Sequence, residues 1–285
     1  MSSSNRIPEL DKLFEEVGTY RKGEDFKELL NFVKMFPQMA PYNAMLVHVQ
    51  KPGSRFVTTA YEWKAHYERT PKAGARPLVI LRPFGPVTFV FELNDTEGKP
   101  FPEALMEPFA AAGEISEHKL NQFIKSMQYE GIVTVEQDYG SSLAGYVQPI
   151  HETRQFNTQH KTVDYHVLFG IVMNRNLEPT SKIATLFHEL GHVFCGHVRH
   201  SEAKWLPERY RLSIVEREFE AESVCWLLCE RLGIKNPSAE YLSGYLNENG
   251  EIPLISIDTV LKAVGAIEGI LGGKPAPRKE LIAKN

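Results

Sequence analysis

Apolar residues recur along this chain with two different periods, and the two periods predict both helices and strands. Spacings of three and four residues predict helices, whereas short runs of β-branched and aromatic residues predict strands. The predicted helices cover residues 41–50, 59–70, 116–129, 179–197, 214–233, 238–248 and 256–271, and a further helical pattern runs from Ile7 to Phe36. The predicted strands cover residues 77–83, 87–93, 131–137 and 165–174. Helices and strands in this mixed order predict an α+β fold.

The order of these elements divides the chain into two parts. The two strands before residue 94 are separated by a short Gly-Pro turn and are predicted to pair. A polar loop follows at 94–102, and the stretch after it is predicted as a linker. We therefore predict a small mixed α/β domain over residues 1–112, a second domain over 113–273 and a flexible tail over 274–285.

The charge is distributed unevenly between these parts. The chain has a net charge of −4, but residues 1–90 hold 13 Lys and Arg against 9 Asp and Glu, a balance of +4 that leaves −8 for the rest. Aromatic residues interleaved with basic ones suit single-stranded nucleic acid, through base stacking and phosphate contacts. A solvated basic face over buried aromatic residues is the more common cause of such a pattern, and nucleic-acid binding is the alternative to it. The candidate nucleic-acid-binding residues are Lys51, Arg55, Tyr61, Trp63, Lys72 and Arg76.

The composition is that of a globular protein, with 42% hydrophobic and 24% charged residues. No apolar run approaches the roughly 20 residues that a membrane-spanning helix needs. The N-terminal residues lack the apolar segment of a secretory signal. We therefore expect a cytoplasmic protein with no membrane partner. Because no C-x-x-C spacing occurs, Cys195, Cys225 and Cys229 are predicted to be reduced, buried thiols.

The stretch FHELGHVFCGH at 187–197 contains the motif H-E-x-x-H. His188 and His192 are four residues apart on a predicted helix, so both can bind one zinc ion at about 2.0–2.1 Å. Glu189 would lie beside the zinc ion and act as a general base toward its bound water. Gly191 indicates the close approach of another segment, because glycine inside a helix costs about 1 kcal/mol.

A catalytic zinc site needs a third protein ligand, and EREFEAES at 216–223 offers the best candidates. Glu218 and Glu222 share one helix face, and that face continues into small and apolar residues. Carboxylates on a buried face need partners. We predict that Glu218 binds zinc and that Glu222 accepts a hydrogen bond from a ligand histidine. Glu220 is the competing choice for the third ligand.

Two further histidines follow the motif. Gly196 is predicted to end the helix, so His197 and His200 are predicted to leave it and to lie at the surface or at the rim of the site.

The second half resembles the zincin-type metallopeptidases of the ImmA/IrrE and ArdC groups. The resemblance lies in IATLFHELGHVFCGH, EREFEAESVCWLLCERLGI and SAEYLSGYL. The first half resembles the N-terminal domain of ArdC-type antirestriction proteins, in PYNAMLVHVQKPGSRFVTTAYEWKAHYERTPKAGARPLVILRP and VTFVFELNDTEGKPFP. The order of the two halves is also that of the ArdC group.

The resemblance implies an N-terminal domain that binds single-stranded DNA, followed by a zincin-like metallopeptidase domain with an HExxH active-site helix. It implies one zinc ion per chain, held by His188, His192 and Glu218, with Glu189 catalytic. The chain departs from the groups in two places. Glu222 stands where the ImmA-like pattern has Asn or Asp, which departs from ImmA but is similar to ArdC. The stretch 151–170 is longer than its ArdC counterpart.

Together these features favour a zinc-dependent metallopeptidase that cleaves a protein or peptide and carries a single-stranded-DNA-binding module. The alternative is a non-catalytic antirestriction protein that binds single-stranded DNA and whose zinc site is structural. In a third hypothesis, the first half recognises a protein, such as a repressor, that the second half cleaves.

Overall fold

The computed structural model divides the chain into two compact units. The first comprises Met1–Ala111 with Glu248–Ile252, and the second comprises Ala112–Asn247 with Pro253–Asn285. The structure describes residues 23–36, 38–82, 85–102, 116–138, 144–157, 161–234 and 251–283. The helix predicted at 238–248 and the pattern before Gly23 lie outside these ranges. The described residues mix helices with several sheets, which confirms the predicted α+β class.

The first unit combines three helices and five short strands among its described residues. The helices are α1 (Gly23–Lys34), α2 (Pro41–Gln50) and α3 (Ala60–Tyr67). The strands are β1 (Val57–Thr58), β2 (Arg69–Pro71), β3 (Leu78–Arg82), β4 (Gly85–Glu92) and β5 (Thr96–Gly98). Strands β3 and β4 pair antiparallel, as predicted, in a sheet of order β1-β4-β3, and β2 pairs with β5.

Helix α2 lies along β3 and satisfies its backbone groups. The Asn43 side chain accepts a hydrogen bond from the Leu81 amide and donates one to the Leu81 carbonyl, both at 2.9 Å. Gln50 makes the same pair of bonds with Val79, both at 2.8 Å. Two side-chain amides thus replace a neighbouring strand, which leaves fewer free backbone groups for pairing with another chain.

An aromatic cluster forms the core beside α3. Trp63 is 0% exposed and packs on Phe56, Tyr67 and Phe101. Its indole nitrogen donates a hydrogen bond to the Phe91 carbonyl at 2.8 Å. The prediction that Trp63 stacks on nucleic-acid bases is therefore wrong for this fold, because both the ring and its polar atom are occupied inside the unit.

The second unit has a three-stranded sheet and four helices among its described residues. These are α4 (Glu117–Gln128), β6 (Ile132–Gln137), β7 (Gly145–Asn157), β8 (Thr162–Asn174), α5 (Pro179–Phe194), α6 (Ile214–Arg231) and α7 (Ile257–Leu271). The central strand β8 pairs parallel with β6 and antiparallel with β7. None of the described helices, in either unit, is long and apolar enough to cross a membrane.

Strand β7 is an element that the hydrophobic pattern did not predict. Most of its residues are polar or exposed, so it lacks the apolar run of a buried strand. It nevertheless pairs along its length with β8, which is buried over its second half. The stretch 151–170 therefore belongs largely to the β7–β8 hairpin, and β8 begins at Thr162, earlier than predicted.

The C-terminal segment predicted to be a flexible tail packs against the second unit in its described part. Arg278 makes an ion pair with Glu130 at 2.8 Å, and its backbone amide donates to the Tyr129 carbonyl. Leu281 is buried, and the Ala283 amide donates to the Asp164 carbonyl at 2.9 Å. Buried apolar surface and hydrogen bonds offset the entropy of ordering this segment.

Helices α5 and α6 come into close contact at a glycine. A Cβ atom at Gly191 would lie 3.0 Å from the Cα atom of Ala221 and 3.1 Å from its carbonyl oxygen. The close approach that Gly191 indicates in the sequence is therefore confirmed, and its partner is α6.

Replacing Gly191 by alanine should destabilise the second unit. Overpacking against backbone costs about 1–3 kcal/mol, which exceeds the roughly 1 kcal/mol of helix propensity that alanine gains over glycine. Urea unfolding should therefore show a lower unfolding free energy for Gly191→Ala.

The matched control is Gly269→Ala in α7, where an added Cβ meets nothing within 4 Å. This variant should gain roughly 0.5–1 kcal/mol of stability. Equal stabilisation by both substitutions would contradict the close approach of α5 and α6.

Candidate metal centre

Three side chains from α5 and α6 converge on one point. The Nε2 atoms of His188 and His192 are 3.2 Å apart. The Glu218 carboxylate oxygens lie 3.4 Å from His188 Nε2 and 3.5 Å from His192 Nε2. Three ligands about 2.0–2.1 Å from a tetrahedral zinc ion lie roughly 3.3–3.4 Å from one another. The donor atoms therefore fit a zinc ion in both chemistry and spacing.

Glu222 lies behind His188, on the side away from the three donor atoms. Its Oε2 atom is 3.0 Å from His188 Nδ1, and its side chain is mostly buried. A hydrogen bond from Nδ1–H to this carboxylate leaves Nε2 with a free lone pair. The structure thus brings Glu222 to the place where a partner of this kind sets the tautomer of a metal-binding histidine.

Glu220 faces away from the three donor atoms and contacts His197 instead. Its Oε2 atom lies 2.9 Å from His197 Nε2, and His197 Nδ1 lies 3.0 Å from His192 Nδ1. The prediction that His197 is a surface or rim residue is wrong, since it is only 3% exposed. Helix α5 does end near Gly196, but the glycine turns the chain back onto the last helical turn. A glycine in that position is the sequence signal that could have located His197.

His200 is only partly buried, and its Nε2 atom lies 3.0 Å from the Ile150 carbonyl oxygen on β7. The three cysteines are buried thiols outside any disulfide, as predicted.

Glu189 lies beside the three donor atoms in a cleft of the second unit. It is 7% exposed, and its carboxylate accepts a hydrogen bond from the Val147 amide on β7. Burial raises the pKa of Glu189. A carboxylate whose pKa lies above the usual range is a better proton acceptor, which suits a general base.

Residues of β7 and α6 line the same cleft. Gly145, Tyr146 and Val147 form one side, and Arg217 lies near Glu218. The Nε atom of Arg217 is buried and has no hydrogen-bond partner among the described residues. The cleft therefore exposes the three donor atoms between a strand edge and a cationic side chain.

The charges around the donor atoms act on one another. Burial alone would lower the pKa of His188, but hydrogen bonds to Glu218 and Glu222 outweigh burial and raise the pKa to about 10. Burial lowers the pKa of His192. The hydrogen bonds from the two histidines hold the pKa of Glu218 well below its usual range. Without a metal ion, a proton on His188 therefore compensates the nearby carboxylates.

Apart from the buried Trp63, the candidate nucleic-acid-binding residues of the first unit fall into two groups. Lys51 makes ion pairs with Asp95 at 2.6 Å and Glu92 at 3.5 Å, and Lys72 donates to the Asn94 carbonyl at 2.8 Å. Both lysines are thus held against the turn at Leu93–Asp95. The other three candidates, Arg55, Tyr61 and Arg76, are exposed. Their side chains make no hydrogen bond or ion pair with the described residues.

Residues 127–224 match the family model of Peptidase_M78, the IrrE N-terminal-like domain. This IrrE-like segment runs from the end of α4 into α6, and it contains the three donor residues together with Glu189 and Glu222. The resemblance to the ImmA/IrrE group is thereby confirmed over this segment.

No curated protein matches the chain. Among solved structures, the chain is similar to the metal-free crystal structure of the antirestriction ArdC protein from the R388 plasmid. The two share 18% sequence identity over 81% of each chain, with a TM-score of 0.37.

Zinc binding to the IrrE-like segment should release a proton. Since the pKa of His188 is raised to about 10, this histidine is protonated at neutral pH and must lose its proton to bind a metal. Calorimetry at pH 7 in buffers of different ionisation enthalpy should show about one proton released per zinc ion.

For the same reason, the apparent affinity should rise about tenfold per pH unit between pH 6 and pH 8. The Glu222→Gln variant should show a weaker dependence, because it removes a negative charge next to Nδ1 of His188. A zinc affinity that does not change between pH 6 and pH 8 would contradict the protonation of His188 in the metal-free protein.

Proposed function

We propose that the second unit is a zinc-dependent peptidase. The observation that carries the proposal is the tetrahedral spacing of His188, His192 and Glu218, with Glu189 beside them in the same cleft. The match of the IrrE-like segment to a peptidase family supports it. A bound zinc ion would acidify a water molecule and polarise the carbonyl group of a peptide bond.

Each residue of the site has a distinct part in the proposed reaction. Glu189 takes a proton from the attacking water and passes it to the leaving amine. The Val147 amide and the packing of α5 hold its carboxylate in place. His188, His192 and Glu218 supply the metal ligands, and Glu222 orients His188 through Nδ1.

The proposed substrate is an extended segment of a protein or peptide. Strand β7 pairs only with β8 among the described strands, so backbone groups on its other edge, apart from the Val147 amide that donates to Glu189, can meet an added peptide. Its first residues, Gly145–Val147, line the cleft next to Glu189. A peptide added to that edge as a further strand would pass the catalytic carboxylate, and backbone pairing of this kind binds extended chains.

The proposal predicts different results for two glutamate variants. Wild-type protein should contain about one zinc ion per chain by elemental analysis, and Glu218→Ala should lose most of it. Glu189→Gln has nearly the same shape as wild type and should keep its zinc. It should lose about 10²–10⁴-fold in cleavage of a peptide mixture, because the general base is gone.

Two outcomes would refute the peptidase. Wild-type protein without zinc would remove the metal centre. Metal loss in Glu189→Gln would show that Glu189 is structural.

We infer a second candidate function for the first unit, the binding of single-stranded DNA. The observation that favours it is the Tyr61 ring on α3, which is 79% exposed. Arg55 and Arg76 are exposed with no ion pair among the described residues. An exposed ring and unpaired guanidinium groups supply stacking and phosphate contacts without sequence preference. In the alternative in which the protein is not a peptidase, the first unit binds DNA and the zinc site is structural.

Fluorescence anisotropy with a labelled thymidine oligonucleotide tests this candidate. Tyr61→Ala should weaken binding by about 1–3 kcal/mol through lost stacking. Arg55→Met should weaken it and reduce its salt dependence. Lys51→Met removes the same charge from a side chain already paired with Asp95, so it should have a smaller effect. Absence of binding, or equal effects of Arg55→Met and Lys51→Met, would count against the DNA-binding role.

A further inference from the structure

A line of buried polar side chains begins at His192 in the cleft and continues through His197 to Glu220. His192 Nδ1 lies 3.0 Å from His197 Nδ1, and His197 Nε2 lies 2.9 Å from Glu220 Oε2. Arg209 and the Ser256 backbone amide both donate to the other carboxylate oxygen, Oε1 of Glu220. His197 and Glu220 are 3% and 0% exposed, so water does not compete for these bonds.

Donor and acceptor roles along this line have one consistent assignment. Glu220 is a carboxylate held by two donors, so it accepts the bond from His197, and the proton of His197 is on Nε2. His197 Nδ1 is then an acceptor, and His192 Nδ1 must carry a proton. His192 Nε2 is left with a lone pair that faces His188 and Glu218.

The other assignments are unfavourable. A neutral His197 with its proton on Nδ1 would point the Nε2 lone pair at a carboxylate oxygen 2.9 Å away. A doubly protonated His197 would bury a second cation near Arg209, although Arg209 already balances the charge of Glu220. Both would place the proton of His192 on Nε2 and block its lone pair.

The backbone is arranged to hold this line in place. After α5, the His197 amide donates to the His192 carbonyl at 2.9 Å and the Gly196 amide to the Val193 carbonyl at 3.0 Å, a Schellman motif. Gly196 has a φ of +76°, and a Cβ there would lie 1.8 Å from the Pro207 carbonyl oxygen. The Gly196 carbonyl also accepts the Arg209 amide at 3.0 Å. One glycine therefore positions both His197 and Arg209.

A second metal site is the competing explanation of the same cluster. The ligand atoms of Cys195, His197 and Glu220 lie within 4.8 Å of one another, and all three residues are buried. However, Glu220 already receives hydrogen bonds from Arg209 and Ser256 and lies 2.9 Å from His197. A metal ion would displace these partners and lie close to a guanidinium group, which the electrostatics disfavour.

We propose that Arg209, Glu220 and His197 form a positioning chain that sets His192 in the tautomer that binds metal before any metal arrives. The inference rests on the proposed zinc site for its function, but the tautomer itself belongs to the metal-free protein. Partners of this kind behind a metal ligand typically contribute about 10–100-fold to metal affinity.

The first test is NMR of the histidine ring nitrogens in the metal-free, full-length protein. The ten histidines can be assigned by single substitution. The proposed positioning chain predicts a proton on Nδ1 of His192 and on Nε2 of His197. A proton on Nε2 of His192 would overturn it, whether or not the protein binds zinc or cleaves peptides.

The sharpest variant is Glu220→Gln. Arg209 and Ser256 require an acceptor, so the amide oxygen should face them and the amide NH₂ should face His197. His197 Nε2 then becomes an acceptor, its Nδ1 becomes the donor, and the proton of His192 moves to Nε2. The ring-nitrogen NMR signals should therefore show the proton of His192 on Nε2 and the proton of His197 on Nδ1, the reverse of wild type. A merely structural role for Glu220 would not produce this reversal.

Zinc affinity, measured by competition with a chromophoric chelator, provides the second readout. Glu220→Gln should weaken zinc binding by about 10–100-fold and alter the visible spectrum of the Co²⁺-substituted protein. Cys195→Ala is a truncation in the same buried cluster. Its zinc affinity should stay within about threefold of wild type, because Cys195 is not part of the positioning chain.

Three results would overturn the inference. One is an unchanged His192 tautomer in folded Glu220→Gln, and another is an unchanged affinity in that variant. The third is a stoichiometry of two zinc ions that falls to one in Cys195→Ala, which would establish the second metal site instead. If Glu220→Gln does not fold, the wild-type tautomers still decide the question. Wild-type protein that binds no zinc would refute the proposed peptidase while leaving the tautomer prediction to be judged by NMR.

Discussion

The contact between Gly191 and Ala221 is the constraint on which the metal centre depends. Helix α5 supplies His188, Glu189 and His192, and α6 supplies Glu218. Donor atoms separated by 3.4–3.5 Å across the two helices require the helix axes to be close, and a side chain at position 191 would meet the backbone of α6. The glycine sacrifices helix propensity at that position, and the close packing of the two helices offsets the loss.

Around this contact, the second unit buries several ionic groups, among them Glu189, Glu220 and Arg231. Buried ionic groups are stable only when each has a partner with good geometry. Here Glu220 has three partners, His188 lies between two carboxylates, and Arg231 pairs with Glu268 at 2.6 Å. His197 and Glu220 thus form a connected line that runs from His192 into the core. Such lines fix orientation and proton position, which an apolar core could not do.

The two units present different chemistry. In the second unit, the reactive groups are recessed and their positions are determined by helices and a sheet. In the first unit, some basic residues have a structural role. Lys51 and Lys72 bond to the turn at Leu93–Asp95, so their ammonium groups already have partners. The charge count of the sequence therefore overstates what the surface offers to a nucleic acid. What remains is a smaller set of exposed side chains, namely Arg55, Tyr61 and Arg76.

Local periodicity was enough to predict much of this protein. The spacing of His188 and His192 places them on one helix face, the bounds of α2 follow from Pro41 and the apolar pattern, and Gly191 indicates a close neighbour. These features depend on residues within one or two helical turns, where backbone geometry dictates which side chains share a face.

Only the tertiary structure decided which glutamate of α6 meets which histidine. Glu218 and Glu220 are two residues apart and point in different directions, so the rotation of α6 against α5 assigns one to the donor atoms and the other to His197. The partners of His197 and the pairing of the polar strand β7 were likewise beyond the sequence. Each depends on a partner distant along the chain, and no local pattern encodes the position of such a partner.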